Sequence, residues 1–167
     1  MKLFEIKTDY RIFVDLDGVM ADLDKHVKAI TGKTFLQLRA TGTGFTEFVE
    51  NERKQGHSVF DQLDPMPDAH VLWSYIEKYR PDILTATGVP KEEATAEKVR
   101  WVFNNLDGFK NIYTVRSGAQ KARYAAPNHI LIDDRDKSII PWRAAGGIGI
   151  QHVSAVDTIN QLKKLGL

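Results

Sequence analysis

The sequence has no cysteine, almost no net charge and no apolar run long enough to cross a membrane. Among its 167 residues, 23 are Lys or Arg and 22 are Asp or Glu, so the formal net charge is +1. The lack of cysteine excludes disulfides, thiolate metal sites and cysteine nucleophiles. The balanced charge offers no electrostatic case for a nucleic-acid or membrane-surface partner. We therefore expect a folded cytoplasmic protein without a membrane partner or a stable nucleic-acid partner.

Several short apolar runs end abruptly in acidic residues, hydroxyls or glycine. This pattern is typical of buried parallel strands that deliver side chains to a site at their carboxyl ends. Clear runs of this kind occupy residues 11–17, 82–88 and 129–134, and weaker ones occupy residues 111–115 and 147–153. We expect each of them to form a strand of one sheet.

Helical periodicity lies between these runs, with apolar residues spaced so that they share one helix face. The three apolar faces are predicted to comprise Leu72, Tyr75, Ile76 and Tyr79; Val99, Val102, Phe103 and Leu106; and Val156, Ile159, Leu162 and Leu165. The alternation of strands and helices predicts an α/β fold, a Rossmann-like parallel sheet with helices on both faces.

Residues 21–67 break the alternation of strands and helices. They contain helical fragments, a Gly/Thr-rich tract at residues 41–44 and two prolines at residues 65 and 67. An insertion directly after the first strand would lie over the carboxyl ends of the sheet, where open α/β proteins bind ligands. We expect a small helical cap at residues 21–67 and an α/β core at residues 1–20 and 68–167. A long connection with two helices is an equally good interpretation.

Four carboxylates stand at the ends of two expected strands, namely Asp15, Asp17, Asp133 and Asp134. If those strands are neighbours, the carboxylates repel one another unless a cation lies between them. An all-oxygen site of this kind suits Mg²⁺. Thr85 and Lys121 supply a hydroxyl and a compact positive charge for a phosphate. The combination indicates phosphoryl transfer to a carboxylate nucleophile.

Residues 13–19 resemble the Asp-x-Asp-Gly signature of the haloacid-dehalogenase (HAD) superfamily, and residues 83–85 and 130–135 resemble two further motifs of that superfamily. Within it, residues 14–22, 59–67, 97–102 and 131–135 resemble the 5'(3')-deoxyribonucleotidases. The resemblance implies a Mg²⁺-dependent phosphatase that hydrolyses (deoxy)nucleoside monophosphates through an aspartyl-phosphate intermediate.

The resemblance also implies a role for each carboxylate. Asp15 would attack phosphorus and bind Mg²⁺. Asp17 would protonate the leaving oxygen and then activate water, while its backbone carbonyl faces the metal. Asp134 is our choice for the direct metal ligand, with Asp133 in support.

The same resemblance assigns three further residues to the substrate. Thr85 would hold a phosphate oxygen, and Lys121 would neutralise the phosphate charge and orient Asp15. Lys98 is the alternative for this lysine; we prefer Lys121 because it lies twelve residues before Asp133. Phe45 stands where the family has a base-contacting aromatic residue, although packing within the cap is the alternative for Phe45.

Two other functions compete with the nucleotidase interpretation. Similar motifs occur in 3'-phosphatases that act on nucleic-acid ends, but the neutral charge counts against that substrate. Phospho-receiver signalling domains also combine Asp, Thr, Lys and an acidic pair, but there the acidic pair comes before the phosphorylated aspartate. A homodimer is compatible with the nucleotidase resemblance.

Overall fold

The protein is described from a computed structural model that covers residues 9–88 and 91–167. The first eight residues of the expected core lie outside the described residues. Five parallel strands form one sheet in the order β3-β2-β1-β4-β5. They are β1 (Arg11–Val14), β2 (Asp82–Ala86), β3 (Ile112–Val115), β4 (His129–Asp133) and β5 (Ile148–Gln151). All five expected strands are confirmed.

Seven α-helices accompany these strands in the described part of the chain. They are α1 (Leu23–Thr31), α2 (Phe35–Ala40), α3 (Gly44–Lys54), α4 (Ala69–Ile76), α5 (Lys91–Asn105), α6 (Asp136–Ala144) and α7 (Ala155–Lys164). Short 3₁₀ turns occupy Phe60–Gln62, Glu77–Tyr79 and Gly118–Tyr124. None of these helices is both long and apolar enough to traverse a lipid bilayer.

The sheet is covered by apolar packing on both faces, as expected for a parallel α/β sheet. Alternate residues of β1 point to opposite faces, because side chains alternate along a strand. Ile12 and Val14 belong to a cluster that includes residues of α4, α5 and α7. Phe13 belongs to a second cluster with Ile139 and Trp142 of α6. Burying each large apolar side chain contributes about 1.5–3 kcal/mol.

Two details of the expected helix faces are wrong. Phe103 of α5 is 67% exposed, whereas its neighbour Val102 is fully buried. Successive helical residues point about 100° apart, so the sheet covers one of the two, and Phe103 packs edge-on against Phe109 instead. Val156 is 64% exposed, because the buried face of α7 is formed by Ala155, Thr158 and Leu162. That face includes a small and a polar residue, which an apolar pattern overlooks.

The segment between β1 and β2 holds α1, α2, α3 and α4. Apolar residues of the first three helices, such as Val27, Leu38 and Phe48, join the same buried cluster as the sheet. Asp22 caps α1 by accepting a hydrogen bond from the Lys25 N–H at 3.0 Å. The helices after β1 are therefore packed against the sheet by continuous apolar contact.

Candidate active site

The sheet brings the expected site residues to one edge. β1 lies between β2 and β4, with Val14 opposite Ile83 on one side and Ile132 on the other. The Asp15 N–H continues the ladder by donating to the Ile132 carbonyl at 3.0 Å. Parallel strands end at the same edge, so Asp15, Thr85 and Asp133 meet there. The two strands that lead into the carboxylates, β1 and β4, are therefore neighbours, which was the condition for the acidic group to form.

A tight turn after β1 gives the carboxylates room. Gly18 adopts φ +83°, a left-handed conformation that side chains rarely tolerate, and its N–H donates to the Ala21 carbonyl at 2.9 Å. A Cβ at this position would lie 2.8 Å from Cγ of Asp134. A glycine is thus required both by the backbone conformation and by the approach of Asp134.

Three carboxylates converge into a group that could hold a cation. One oxygen each of Asp15, Asp133 and Asp134 lies within 4.8 Å of the other two. Asp133 is already satisfied, since Oδ1 accepts from the Arg135 N–H at 2.9 Å and Oδ2 accepts from Lys121 at 2.6 Å. Oδ1 of Asp134 is buried without any hydrogen-bond partner among the described residues. An orphaned carboxylate oxygen beside two other carboxylates fits a hard divalent cation such as Mg²⁺.

The protonation of these acids reflects their crowding. Burial, together with the charges of Asp15 and Asp133, raises the pKa of Asp134 to about 7. Burial and the charge of Asp15 also raise the pKa of Asp133. Without a metal ion, Asp133 and Asp134 therefore hold protons to a higher pH than ordinary aspartates do, and a bound cation would favour the loss of those protons.

Lys121 connects the carboxylate that follows β1 to the carboxylate that ends β4. It is 1% exposed, and its Nζ lies 2.7 Å from Oδ1 of Asp15 and 2.6 Å from Oδ2 of Asp133. Burial works against the charged ammonium, but the two carboxylates outweigh it, and the pKa of Lys121 is raised. Lys121 is thus a lasting positive charge beside Asp15 and Asp133.

Lys98 is a second buried cation in the same site. Its Nζ donates to Oδ2 of Asp17, to Thr85 Oγ1 at 3.1 Å and to the Ala86 carbonyl at 3.0 Å. The choice between Lys98 and Lys121 is therefore not exclusive, since the structure places both lysines at the acidic edge. The sequence signal for Lys98 was its position after the motif at residues 83–85, at the start of the helical stretch 97–102.

Asp17 faces Lys98 rather than the three-carboxylate group. Burial raises the pKa of Asp17, the Lys98 ammonium opposes that shift, and the charge of Asp15 adds to it. The expected site carboxylates thus divide into a group of three and a separate ion pair. Asp15 and Asp17 emerge from the same strand but contact different lysines.

Glu97 is a site-supporting residue that sequence reasoning missed. It is buried and accepts hydrogen bonds from the N–H groups of Val59 and Phe60 at 3.2 and 3.0 Å. Phe60 in turn places its ring 4.6 Å from Lys98 Nζ. Glu97 therefore fixes the Phe60 ring beside Lys98, the residue that follows Glu97 in α5. Its position next to Lys98 was the available signal.

Phe45 lies in an aromatic cluster that reaches toward the Phe60 ring. Its ring is perpendicular to Phe35 at 4.7 Å between centroids, and it is 6.0 Å from Phe48 and 6.5 Å from Phe60. Phe45 is partly buried. Its ring packs with the other aromatic rings of the segment and, through Phe60, adjoins the Lys98 side of the site.

Comparison with known proteins reveals a shared fold at low sequence identity. No protein-family model matches the chain, and no curated protein sequence does. A haloacid dehalogenase-like family hydrolase from Streptococcus pneumoniae superposes with a TM-score of 0.54 and 16% identity, covering 92% of this chain and 91% of that one. An L-2-haloacid dehalogenase from Xanthobacter autotrophicus, with chloropropionic acid covalently bound, has a TM-score of 0.54 and 11% identity, covering 92% and 82%.

A third solved structure belongs to a protein assigned to the HAD hydrolases from Bacillus subtilis and contains bound magnesium. It has a TM-score of 0.51 and 12% identity, covering 91% of this chain and 99% of that one. The chain thus has the α/β fold of HAD-like hydrolases, and the expected fold class is confirmed.

Proposed function

We propose that this protein is a Mg²⁺-dependent phosphatase of the HAD superfamily that hydrolyses (deoxy)nucleoside monophosphates. The observation that carries the proposal is the convergence of Asp15, Asp133 and Asp134 around one orphaned carboxylate oxygen, with Lys121 on Asp15. Two solved structures of this fold support the proposal. One holds an organic acid bound covalently, which supports covalent catalysis, and the other holds magnesium, which supports a metal at the site.

In the proposed reaction, a carboxylate oxygen of Asp15 attacks phosphorus and the ester bond to the nucleoside oxygen breaks. Asp17 gives its proton to that departing oxygen. Water then attacks the aspartyl-phosphate, Asp17 takes the proton from this water, and inorganic phosphate leaves with Asp15 regenerated. The raised pKa of Asp17 favours the protonated form that the first step needs.

The metal would be held by Asp15 and Asp134, with the Asp17 carbonyl as a further ligand and Asp133 in support. When bound, Mg²⁺ supplies charge that reduces repulsion between the carboxylate and the phosphate. Lys121 contributes to the same shielding, because a carboxylate attacks an anionic phosphate poorly without nearby cations.

Thr85 and Lys98 form the opposite side of the proposed phosphate site. The Thr85 hydroxyl is buried and already hydrogen-bonded to Lys98, so the pair presents one donor group and one charge together. Lys98 also keeps Asp17 in place through their ion pair. In this arrangement Lys121 pairs with the nucleophile Asp15, whereas Lys98 pairs with the acid–base residue Asp17.

Residues 21–67 are proposed to act as the cap over this edge, with residues 68–167 and the segment up to residue 20 as the core. Cap and core meet beside Lys98, where Phe60 of the segment contacts the ammonium. Phe45 is proposed to contact the base from within this aromatic cluster.

The test is phosphate release from a panel of 5'- and 3'-monophosphates, with and without Mg²⁺. We expect Mg²⁺-dependent turnover by the wild type and its loss in Asp15→Asn, while Asp107→Asn, an exposed control carboxylate, retains it. Activity that survives in Asp15→Asn overturns the mechanism. Cleavage confined to 3'-phosphorylated oligonucleotides replaces the nucleotidase with the end-repair phosphatase.

The role of Phe45 has a separate test. An aromatic contact contributes about 0.5–1.5 kcal/mol, so Phe45→Ala should raise KM for a nucleotide about two- to tenfold. KM for ribose 5-phosphate, which has no base, should stay unchanged, as should both values in the exposed control Phe103→Ala. Equal effects of Phe45→Ala on the two substrates would show that Phe45 only packs the cap.

A further inference from the structure

Two arginines share one aromatic ring beside the acidic edge. Cζ of Arg135 lies 5.3 Å from the ring centroid of Phe35, and Cζ of Arg39 lies 5.7 Å from it. Arg135 follows the proposed metal ligand Asp134 directly, whereas Arg39 belongs to α2 in the segment after β1. The arginine pair, Arg39 and Arg135, therefore combines one residue from each side of the proposed cap boundary.

Neither guanidinium of this pair forms an ion pair within the described residues. Within residues 9–88 and 91–167, no carboxylate lies within ion-pair distance of either guanidinium. Partial burial and the nearby charge of Arg135 both lower the pKa of Arg39. Cation–π contact with Phe35 offsets some of the repulsion but supplies no countercharge. Two guanidiniums that share one ring and lack an ion-pair partner are suited to an anion, because a guanidinium binds phosphate through two parallel hydrogen bonds.

The reacting phosphate does not need this pair. Thr85, Lys98 and Lys121 already provide a hydroxyl and two ammonium groups beside Asp15 and Asp17. The charge of Arg135 also acts on Asp134. It lowers the pKa of that carboxyl group, although the larger effects of burial and the neighbouring acids raise it. The pair thus lies next to the site but is separate from the groups that face the nucleophile.

We infer that the arginine pair binds a second phosphate group on the substrate, so that the preferred substrates are nucleoside bisphosphates rather than monophosphates. This inference rests on the proposed function for the hydrolysed phosphate. The second phosphate stays intact and contributes binding energy from a remote part of the substrate. Because Arg39 and Arg135 belong to different segments, that phosphate also ties α2 to the end of β4.

The test compares thymidine 3',5'-bisphosphate with the two thymidine monophosphates. A charge-assisted hydrogen bond contributes about 1.5–3 kcal/mol, so the wild type should prefer the bisphosphate by about tenfold or more in kcat/KM. Arg39→Gln should bring this ratio close to one, and Arg39→Lys should restore part of it. Lys54→Gln, which removes an exposed cation from the neighbouring helix α3, should keep the wild-type ratio.

Equal kcat/KM for bisphosphate and monophosphates in the wild type overturns the inference, as does a preference that Arg39→Gln retains. Binding of the bisphosphate by the Asp15→Asn protein, measured by calorimetry, separates this inference from the proposed function. If no monophosphate is hydrolysed, the proposed function fails. In that case the calorimetric affinity for the bisphosphate still tests the arginine pair. Affinity that is tenfold weaker in the double variant Asp15→Asn/Arg39→Gln than in Asp15→Asn supports the inference. Equal affinity in the two variants overturns it.

Discussion

Buried aspartates lie at both ends of the central strands, but their surroundings differ. At the amino end, Asp82 is fully buried and accepts from Arg11 Nε at 2.6 Å and from Asn111 Nδ2 at 2.7 Å. Arg11 also donates to the Tyr113 hydroxyl at 3.1 Å. At the carboxyl end, Asp134 keeps one buried oxygen without a partner among the described residues.

This difference separates a structural carboxylate from a reactive one. The hydrogen bond and charge of Asp82 raise the pKa of Arg11, so the carboxylate favours the charged guanidinium. At the other end, burial and then the like charges of the neighbouring acids raise the pKa of Asp134 instead. Burial of an aspartate is common to both ends; an unsatisfied oxygen among like charges distinguishes the end that can bind a ligand.

The largest expected effect is that of Lys121→Met, at the carboxyl end. Removing this ammonium leaves Asp15 and Asp133 buried without their cation, so the free energy of unfolding should fall by about 3 kcal/mol or more. Phosphate release should be lost as well. Urea denaturation and the phosphatase assay measure both, with the exposed Lys110→Met as control. Wild-type stability in Lys121→Met would contradict the ion-pair network.

The next effect is that of Asp82→Ala, at the amino end. Arg11 loses its partner, but its side chain is 34% exposed and can be hydrated, so we expect a loss of about 2 kcal/mol of unfolding free energy. The kcat of the folded protein should remain near that of the wild type. A fall in kcat comparable to that of Asp15→Asn would show that the two ends are not separate in function.

Asp134→Asn should raise the free energy of unfolding of the metal-free protein at high pH, whereas the two preceding substitutions lower it. The folded protein holds a proton on Asp134 up to a pKa of about 7, whereas an unfolded chain releases it near pH 4. The stability of the metal-free wild type therefore falls as the pH rises through this range.

In Asp134→Asn that fall should be reduced, which makes the variant more stable than the metal-free wild type at pH 8. Each kcal/mol corresponds to about 2–4 °C in Tm for a chain of this size. Mg²⁺ should raise the Tm of the wild type and have much less effect on the variant. A lower Tm for Asp134→Asn at pH 8 without metal would contradict the crowded-carboxylate interpretation.

The smallest effect concerns His152, a buried residue that follows β5 at the carboxyl edge of the sheet and has a hydrogen-bond partner in α7. Its Nδ1 lies 2.7 Å from Thr158 Oγ1, and burial lowers the pKa of the imidazole. The unfolded chain takes up a proton near pH 6.5 that the folded chain resists, so this group costs stability as the pH falls below that value.

His152→Asn should therefore lose less stability than the wild type between pH 7 and pH 5, by at most about 1 kcal/mol. Thermal unfolding at the two pH values measures the difference. An identical loss in both proteins would mean that His152 takes up its proton without resistance from the fold.

The strands and the acidic edge could be predicted from the sequence because each depends on local pattern. Residues 129–134 combine an apolar run with two terminal carboxylates, and β4 indeed ends at Asp133. Parallel pairing then brings that end to Asp15. The preference for Lys121 rested instead on its position twelve residues before Asp133, in the segment that leads into β4.

Other features depend on tertiary packing and were not visible in the sequence. Val102 and Phe103 are both apolar neighbours on α5, and only the position of the sheet decides that Phe103 is exposed. Two lysines at one site contradict the expectation of a single choice, which spacing alone could not resolve. Asp82 and Asp133 both adjoin apolar runs, and their different roles emerge only from their hydrogen-bond partners.

The hydrogen bond from the Asp15 N–H to the Ile132 carbonyl has a consequence for how this protein can be re-engineered. The spacing between Asp15 and the Asp133–Asp134 pair is a backbone distance within one strand ladder. Residues 21–67 lie between β1 and β2 and are not part of that ladder. A replacement segment between Met20 and Asp68 would therefore preserve the spacing only if it kept the residue-21 carbonyl that accepts from Gly18 and the apolar side chains that pack against the sheet.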